Sequence, residues 1–356
     1  MAFLNLYKDK LKTNFEFLKT KFNDNGIAWG VVSKLLCGNR RYIKELIDLG
    51  VDEIHDSRIS NLAKVKEINP NVQTVYIKPP SKRNLSDMVK YADVSLNSEL
   101  NTIRWISDEA VKQGKKHKVI IMVETGDLRE GVMGDHLVDF YAKVFELPNL
   151  EIIGLGTNLN CLNGVMPSAD KLIQLSLYKQ IIELKFNKNI PWVSAGTSVT
   201  IPLMLHKQLP KGVNHFRIGE TLYFGNDLFE DKVIEGMHGD VFELAAEIIE
   251  MQEKPLLPMG TLAANPQGEV AEMDETLYGK TSYRAILDIG LLDVDPKYLI
   301  PEDGEFEILG ASSDMLILNL EQNPKDYNVG DLIKFNLKYM GALAILNSSY
   351  IEKRVV

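Results

Sequence analysis

The residue with the clearest chemical potential is Lys34, which ends the apolar run 27–34 and is followed by a glycine turn at Gly38. A lysine normally keeps its ammonium in water, so one at the carboxyl end of a buried strand usually has a chemical role. An amine desolvated in that position loses its proton more easily and can attack an aldehyde to form a Schiff base. The alternative is a structural lysine that extends its ammonium from the strand end into water. The rest of the sequence favours the chemical role.

The elements that would position Lys34 alternate between short β-branched runs and amphipathic stretches with apolar residues at intervals of three and four. We predict strands over 27–34, 52–56, 73–78, 93–97, 118–124, 151–158, 191–195 and 215–219, and helices over stretches such as 39–49, 58–68, 98–113, 135–146 and 168–186. Eight strands, each followed by a helix, indicate an α/β fold with a closed (β/α)8 barrel of the TIM type, whose active site lies at the carboxyl ends of the strands. A doubly wound open sheet would alternate similarly, but no Gly-x-Gly-x-x-Gly turn follows the first strand.

After about residue 238 the pattern changes to strands with turn signals. Strand-like runs occupy 241–250, 283–290 and 315–318, and a turn signal lies at 265–268. We therefore predict two domains, a barrel over 1–238 and a β-rich domain over 239–356.

Composition narrows the class of protein. The chain has 356 residues and a net charge of −9, and no basic stripe appears, so nucleic acid is not expected as a partner. No signal peptide and no apolar stretch long enough to span a membrane are found, which predicts a cytoplasmic protein. Two widely separated cysteines, Cys37 and Cys161, offer neither a disulfide framework nor a metal-finger spacing, so reduced thiols are expected.

Several short motifs occur in a specific order along the chain: Lys34, 125–131, 156–159, 194–198, 217–219 and Tyr350. This order resembles the alanine racemase class of pyridoxal 5'-phosphate (PLP) enzymes, of fold type III, over nearly the whole chain. More narrowly, the segments 56–59, 126–131, 154–159, 214–220 and 310–314 resemble the ornithine racemase branch. The resemblance implies PLP as cofactor, Lys34 as its Schiff-base lysine and one catalytic base, and a homodimer with shared active sites.

The resemblance also implies residues that hold the cofactor phosphate: Gly196, Thr197, Ser198, Gly219, Glu220 and Tyr350. A glycine-rich turn before a helix suits phosphate because it offers several backbone N–H groups. Without the resemblance, the Gly196 turn is explained equally well as a helix cap. One family contact is absent, since the aromatic residue expected four positions after the lysine is Gly38.

Arg217 matches the arginine that faces the pyridine nitrogen of PLP in the family. A guanidinium offers only donors, so it would keep that nitrogen unprotonated, which favours racemisation over decarboxylation. The alternative for Arg217 is a salt bridge at the barrel rim. Asn158 falls where the family has a ring-stacking histidine, and a structural, backbone-bonded asparagine is the alternative.

Arg129 matches an arginine near the substrate carboxylate. In alanine racemases a carbamylated lysine seven residues earlier holds it, but that position is Met122 here. We expect Asp127 or Glu130 to orient Arg129 instead, and the alternative is that Arg129 has a different role.

Racemisation needs a second acid or base on the face opposite Lys34. No tyrosine stands at the family's position within 254–263, so the candidates are Tyr278, Tyr283, Ser313 and Asp314. Asp314 also resembles the aspartate that binds the distal ammonium in ornithine decarboxylase, with serine in place of the preceding cysteine. Asp288 is a weaker second carboxylate, and a solvated turn aspartate is the alternative for Asp314.

These observations predict a PLP-dependent amino acid racemase that acts on ornithine or a related basic amino acid. The alternatives are a racemase of alanine or of broad specificity, and an amino acid decarboxylase, which would need the missing cysteine. A metal-assisted aldolase or dehydratase would need a C-terminal His/Cys pair, but the last histidine is His238 and no cysteine follows Cys161, so no metal site is expected. A non-catalytic PLP carrier would lack the C-terminal domain.

Overall fold

The computed structural model describes residues 2–264, 268, 270, 274–302, 304 and 306–356. Within this part of the chain there are two compact units. One is Tyr7–Val241, and the other joins Phe242–Val356 to the first strand, β1 (Phe3–Leu6). The predicted division at residue 238 had placed residues 1–6 with the barrel, whereas β1 pairs with strands of the second unit.

The first unit is a closed barrel of eight parallel strands, in which the last strand pairs with the first. The strands are β2 (Ala28–Val32), β3 (Glu53–Asp56), β4 (Gln73–Tyr76), β5 (Val94–Asn97), β6 (His117–Met122), β7 (Leu150–Gly156), β8 (Trp192–Thr197) and β9 (His215–Ile218). Each corresponds to one predicted strand, and no end differs by more than two residues. The predicted α/β barrel is therefore confirmed.

Helices alternate with these strands. They are α1 (Lys8–Asp24), α2 (Arg40–Asp48), α3 (Ile59–Ile68), α4 (Leu85–Tyr91), α5 (Leu100–Lys112), α6 (Leu137–Phe145), α7 (Ala169–Phe186), α8 (Ile201–Leu205) and α9 (Glu220–Phe224), after which the short strands β10 (Asn226–Asp227) and β11 (Lys232–Val233) form a hairpin. The start of α2 shows a local cause, because the Asn39 side chain accepts the N–H groups of Arg41 and Tyr42.

Apolar side chains fill much of the barrel interior. One buried cluster consists of Val75, Val94, Leu96, Ile120, Met122 and Ile153. Met122, the residue that replaces the family lysine, is thus part of the barrel core. A second cluster packs the outer face of the barrel beneath α3, α4 and α5, around Leu62, Met88 and Ile106. None of the helices in the described residues combines the length and apolarity that crossing a bilayer requires.

The second unit is dominated by an antiparallel sheet. Its elements are β12 (Phe242–Pro255), β13 (Thr281–Leu287), β14 (Leu299–Pro301), β15 (Glu307–Ala311), β16 (Leu316–Asn319), β17 (Leu332–Leu337), the helix α10 (Tyr339–Asn347) and β18 (Glu352–Val355). The strand order is β14-β17-β12-β13-β16-β15, and β1 adds to it by pairing with β12 and β18. The predicted β-rich domain is confirmed. Residues 265–267 of the predicted turn lie outside the described residues.

A buried histidine gives the barrel a pH-dependent stability. His117 is 2% exposed and its Nε2 is hydrogen-bonded to Ser95 Oγ at 2.8 Å. Burial lowers the pKa of His117 to about 4. Between that value and the ordinary pKa of about 6.5, the unfolded chain binds a proton that the folded barrel does not. The free energy of unfolding therefore falls as the pH falls through this window.

We expect His117→Gln to remove this pH dependence. By linkage, the His117 term should cost about 2.5 kcal/mol between pH 7 and pH 4.5. Urea unfolding followed by tryptophan fluorescence measures it, since all three tryptophans, Trp29, Trp105 and Trp192, lie in the barrel unit. The exposed His136→Gln variant is the control. Equal pH slopes in wild type and His117→Gln would contradict the prediction.

Candidate active site

Lys34 lies just beyond the carboxyl end of β2. The strand ends at Val32, and Lys34 begins a short 3-10 turn, Lys34–Leu36. The turn closes at Cys37, whose φ of 49° is left-handed. The side chain of Lys34 is exposed, so the expectation that the protein itself desolvates this amine is wrong. The amine is instead open to a ligand at the mouth of the barrel.

A buried carboxylate holds the backbone that carries Lys34. Asp56, at the end of β3, accepts hydrogen bonds from Ser33 Oγ at 2.8 Å and from Asn61 Nδ2 at 3.1 Å. Burial raises the pKa of Asp56, against the effect of these hydrogen bonds. The position of Gly38 has a packing cause, because a Cβ there would lie 2.3 Å from Asn61 Oδ1. The larger family side chain therefore cannot stand at this position with Asn61 in place.

Arg217 is buried in β9, with 4% of its surface exposed. Its two terminal nitrogens donate to the carbonyl oxygens of Thr157 and Ser194, to Ser194 Oγ at 2.6 Å and to Asn158 Oδ1 at 2.6 Å. These contacts use four of the five N–H donors, and Nε–H is the donor for which the described residues supply no acceptor. Burial lowers the pKa of Arg217 to about 10, so the guanidinium stays charged at neutral pH. The alternative interpretation of Arg217, a salt bridge at the barrel rim, is therefore not what the structure shows.

Asn158 joins the two arginines that the sequence singled out. Its Oδ1 accepts from Arg217, and its Nδ2 donates to Glu130 Oε1. Glu130 in turn accepts from Nε and from a terminal nitrogen of Arg129, the latter at 2.6 Å. These hydrogen bonds, which Arg129 donates to Glu130, raise the pKa of Arg129. Of the two carboxylates expected to orient Arg129, the structure selects Glu130.

Asp127 has a different role, which is to fold the loop after β7. Its carboxylate accepts the backbone N–H groups of Cys161, Leu162, Asn163 and Val165 at 2.9–3.3 Å. Burial opposes ionisation, but these four hydrogen bonds outweigh it and lower the pKa of Asp127. The loop at the barrel mouth is therefore held by a single carboxylate.

We expect Asp127→Asn to loosen this loop and make the Cys161 thiol more reactive. Residue Cys161 is exposed, but its thiol donates to the carbonyl of Leu159 at 3.4 Å and burial raises its pKa. An amide has one acceptor oxygen and no charge, so most of the charge-assisted hydrogen bonds are lost. The chain has two cysteines, so a Cys37→Ser background leaves Cys161 as the only thiol. Its reaction rate with a disulfide reagent should rise about fivefold or more as local opening becomes easier. The exposed Asp139→Asn variant should leave the rate unchanged, and an unchanged rate in Asp127→Asn would refute the role.

The two predicted phosphate-binding segments lie side by side. Gly196 and Thr197 end β8, and Thr197 forms a capping box with Thr200 across the 3-10 turn Ser198–Thr200. Ser198 Oγ accepts the backbone N–H of Thr221 at 3.2 Å, which ties this turn to the start of α9. Gly219 is the residue that caps α9.

Glu220, the first residue of α9, is close enough to Lys34 for their charges to interact. Burial raises the pKa of Glu220, while a hydrogen bond from Asn226 and the charge of Lys34 oppose the rise. Lys34, Ser198, Gly219 and Glu220 therefore share the mouth of the barrel with Arg217 and Asn158.

The remaining predicted site residues belong to the second unit. Tyr350 and Tyr278 are 75% and 84% exposed, and Tyr283 is half-buried in β13. Ser313 and Asp314 are exposed in the turn between β15 and β16, where Ser313 Oγ donates to Asp314 Oδ2 at 3.0 Å. Gly290 packs tightly on this turn, because a Cβ there would lie 2.5 Å from the carbonyl carbon of Asp314.

One polar group inside the barrel was missed at the sequence level. Glu53, His55 and His215 are buried and bring one ligand-type atom each within 4.8 Å of the others. Both histidine Nε2 atoms contact Glu53 Oε1, at 2.6 and 2.8 Å. A signal was available, because Glu53 and His55 stand two apart on a strand and so face the same side.

The fold and the mouth of this barrel define a class of enzyme. A lysine follows the first barrel strand, and an arginine, which can only donate hydrogen bonds, lies in the last. Glycine-containing turns lie beside them, and a β unit follows the barrel in the sequence. Barrel enzymes that hold PLP have this combination of features. The profile of the alanine racemase N-terminal domain matches residues 7–227, and the chain belongs to the alanine racemase family.

Relatives over the full length agree with this membership. The chain is 38% identical to an ornithine racemase of Acetoanaerobium sticklandii over 98% of both chains. It is 30% identical to a lysine racemase of Thermotoga maritima over 92% of this chain and 91% of the relative. Among solved structures, an alanine racemase of Bartonella henselae with covalently bound pyridoxal phosphate matches with a TM-score of 0.75 and 17% identity, over 100% of this chain and 99% of that one. The predicted family and the predicted class of PLP-dependent racemase are confirmed.

Proposed function

We propose that this protein is a PLP-dependent racemase of ornithine or a closely related basic amino acid. The observation that carries the cofactor site is the buried guanidinium of Arg217, whose remaining Nε–H donor is available at the mouth that Lys34 also faces. The substrate class rests on the two full-length relatives, an ornithine racemase and a lysine racemase, and on the carboxylate of Asp314.

The residues of the barrel mouth fit PLP in three respects. Lys34 offers an exposed primary amine for the aldehyde. The turn at Ser198 and the start of α9 at Gly219 bring backbone N–H groups together for a phosphate. Arg217 offers a fixed, charged donor and no acceptor for the ring nitrogen. Tyr350 would complete the phosphate site from the β domain.

When bound, PLP withdraws electrons from the substrate so that the proton on its α-carbon can leave. Lys34 takes or returns this proton at Nζ on one face of the substrate. Arg217 keeps the ring nitrogen unprotonated, because its guanidinium remains charged and accepts no proton. Glu130 and Asn158 fix Arg129, which binds the substrate carboxylate.

The proton on the opposite face requires a second group, for which Tyr278, Tyr283, Ser313 and Asp314 remain the candidates. All four belong to the β unit. We propose a homodimer in which the β domain of one subunit serves the barrel mouth of its partner. Cys37 and Cys161 are thiols that do not form a disulfide, as is typical of a reducing compartment, which supports a cytoplasmic location.

The substrate proposal is tested by Asp314→Asn. Asp314 should pair with the distal ammonium of ornithine, and removing one partner of a desolvated ion pair leaves the other charge unpaired. We expect kcat/KM for ornithine to fall on the order of 10²- to 10³-fold, while the value for alanine stays within about threefold. Asp288→Asn is the matched comparison for a second carboxylate.

The same variant tests the shared site. Mixing Lys34→Ala subunits with Asp314→Asn subunits should restore activity in heterodimers, each of which then has one intact site. Equal losses for ornithine and alanine would remove the substrate proposal. Full activity in a dilute monomer would remove the shared site.

A further inference from the structure

A chain of buried polar side chains runs from Arg217 into the barrel interior. Ser194 and His215 are neighbours in the register of β8 and β9, and both are fully buried. Ser194 Oγ accepts from Arg217 at 2.6 Å and contacts His215 Nδ1 at 2.7 Å. His215 Nε2 then contacts Glu53 Oε1 at 2.8 Å. Four side chains therefore connect the barrel mouth to a carboxylate deep in the core.

The hydrogen bonds can be assigned one consistent direction along this chain. Arg217 can only donate, so Ser194 Oγ accepts from it, and we assign the serine's own hydrogen to His215 Nδ1. With this assignment His215 carries a proton on Nε2 and donates it to Glu53. His55 Nε2 donates to the same carboxylate oxygen at 2.6 Å, and Gln73 Nε2 donates to the other at 2.5 Å. In this assignment the Glu53 carboxylate accepts all three of these hydrogen bonds.

The charges agree with this assignment. Burial disfavours ionised Glu53, but the hydrogen bonds from His215 and His55 outweigh it and hold the pKa of Glu53 well below its usual range. Burial lowers the pKa of His55, so that ring stays neutral. The side chain of Glu53 is 10% exposed, toward a cavity of about 480 Å³ at the amino-terminal end of the strands, which Lys19 and Asp52 also line.

The residues around the buried side chains of Glu53, His55 and His215 pack against them and leave space for them. The Trp192 ring stacks on His215 with centroids 4.1 Å apart and an interplanar angle of 10°. Gly30 leaves the space that the group needs, because a Cβ there would lie 2.4 Å from His55 Nε2 and 2.6 Å from Glu53 Oε1. Gly30 is also the register partner of Arg217. A larger residue at position 30 would displace the group.

We propose that Glu53, through His215 and Ser194, is the counter-charge on the interior side of the barrel that helps to hold the Arg217 guanidinium in position beneath the cofactor ring. This inference rests on the proposed function for the identity of the ring, but the four-residue chain itself does not. Glu53, His215 and Ser194 are positioning residues, since none of them reaches the mouth. Asn158 joins Arg217 to a second carboxylate, Glu130, at the mouth, so Glu53 is the counter-charge on the interior side. Its removal would leave the buried guanidinium less well compensated.

The test is a double-mutant cycle between Glu53→Gln and Ser194→Ala. Glu53→Gln removes the charge and keeps the size, whereas Ser194→Ala removes one hydroxyl and breaks the chain next to Arg217. Ser95→Ala is the matched control, because Ser95 and His117 form an equivalent buried serine-histidine pair on β5 and β6.

The first readout is the urea midpoint of the barrel without PLP. We expect Glu53→Gln to lower the midpoint in the wild-type background by at least twice as much as in the Ser194→Ala background, because the chain is already cut in the latter. Additive effects of the two substitutions would overturn the proposal. This readout tests whether Glu53 and Ser194 are energetically coupled, even if the protein fails to racemise any amino acid.

The second readout is the ¹⁵N resonance of PLP labelled at the ring nitrogen and bound to each variant. Ser194→Ala and Glu53→Gln should both shift it and lower kcat about tenfold or more, with KM within about twofold. Ser95→Ala should lower the urea midpoint and leave the resonance in place. If Glu53→Gln does not fold, the comparison of Ser194→Ala with Ser95→Ala still tests the proposal. Equal ¹⁵N resonances in these two variants would overturn it. A wild-type protein that binds no PLP would refute the proposed function alone.

Discussion

Lys34→Ala is expected to abolish racemisation, with kcat falling by more than about 10⁴-fold, or about 5.5 kcal/mol. The variant loses both the covalent attachment point and the base on one face of the substrate. Because the side chain of Lys34 is exposed, its removal should change the free energy of unfolding by less than about 0.5 kcal/mol. Loss of activity with unchanged stability would therefore be a chemical effect.

Borohydride reduction of the PLP-loaded protein followed by peptide mapping locates the attachment. The label should appear on Lys34, and a purified Lys34→Ala variant should lack the absorbance of covalently held PLP. Lys64→Ala is the matched control, since its ammonium binds the carbonyl of Gly38 at 3.0 Å in the same turn. A label that stays in the Lys34→Ala variant, or maps to Lys64, would refute the assignment.

The barrel was predictable because each strand is a short buried run with a strong local pattern, and the family motifs follow those strands in order. The position of Lys34 was predicted correctly, but its environment was not. Desolvation depends on which other segments pack around a side chain, and the local sequence around Lys34 does not show which segments these are. The strand ends at Val32, two residues before the end of the apolar run, so the lysine begins the turn and stays exposed.

The location of β1 was not predictable for a related reason. Four residues, Phe3–Leu6, carry little periodicity, and their partners lie more than two hundred residues away on β12 and β18. Strand pairing at such separation leaves no local pattern in the sequence. The boundary at residue 238 followed the change in composition and could not register this pairing.

The carboxylate that orients Arg129 could be narrowed to two candidates from residue types, but not to one. Two adjacent carboxylates, Asp127 and Glu130, were equally reasonable partners from the sequence. The structure separates them, because the loop after β7 supplies four N–H groups to Asp127 and leaves Glu130 to Arg129 and Asn158. Which carboxylate meets which donor is decided by the path of a loop that lies more than thirty residues further along the chain.

Arg217 is the second residue whose replacement should have a very large effect. Its guanidinium joins β8 to the loop that follows β7. Removing it takes a donor from the carbonyls of Thr157 and Ser194 and from the side-chain oxygen of Asn158. A glutamate at this position would place a carboxylate against these acceptors, so Arg217→Gln is the better probe of the charge. We expect kcat to fall by about 10³-fold or more, since each tenfold loss corresponds to about 1.4 kcal/mol.

Arg217→Lys separates charge from geometry. A lysine keeps one positive charge but presents three donors from a single point, which cannot span the acceptors of β8 and of the loop after β7. If the planar geometry of the guanidinium is required, the lysine variant should lose nearly as much activity as the glutamine variant. Both variants should also unfold at a lower urea concentration than the wild type. Spectra of PLP-loaded variants report on the ring nitrogen in the same samples. A lysine variant with wild-type kcat would show that charge alone is required, and a glutamine variant with wild-type kcat and an unchanged spectrum would show that Arg217 does not face the cofactor.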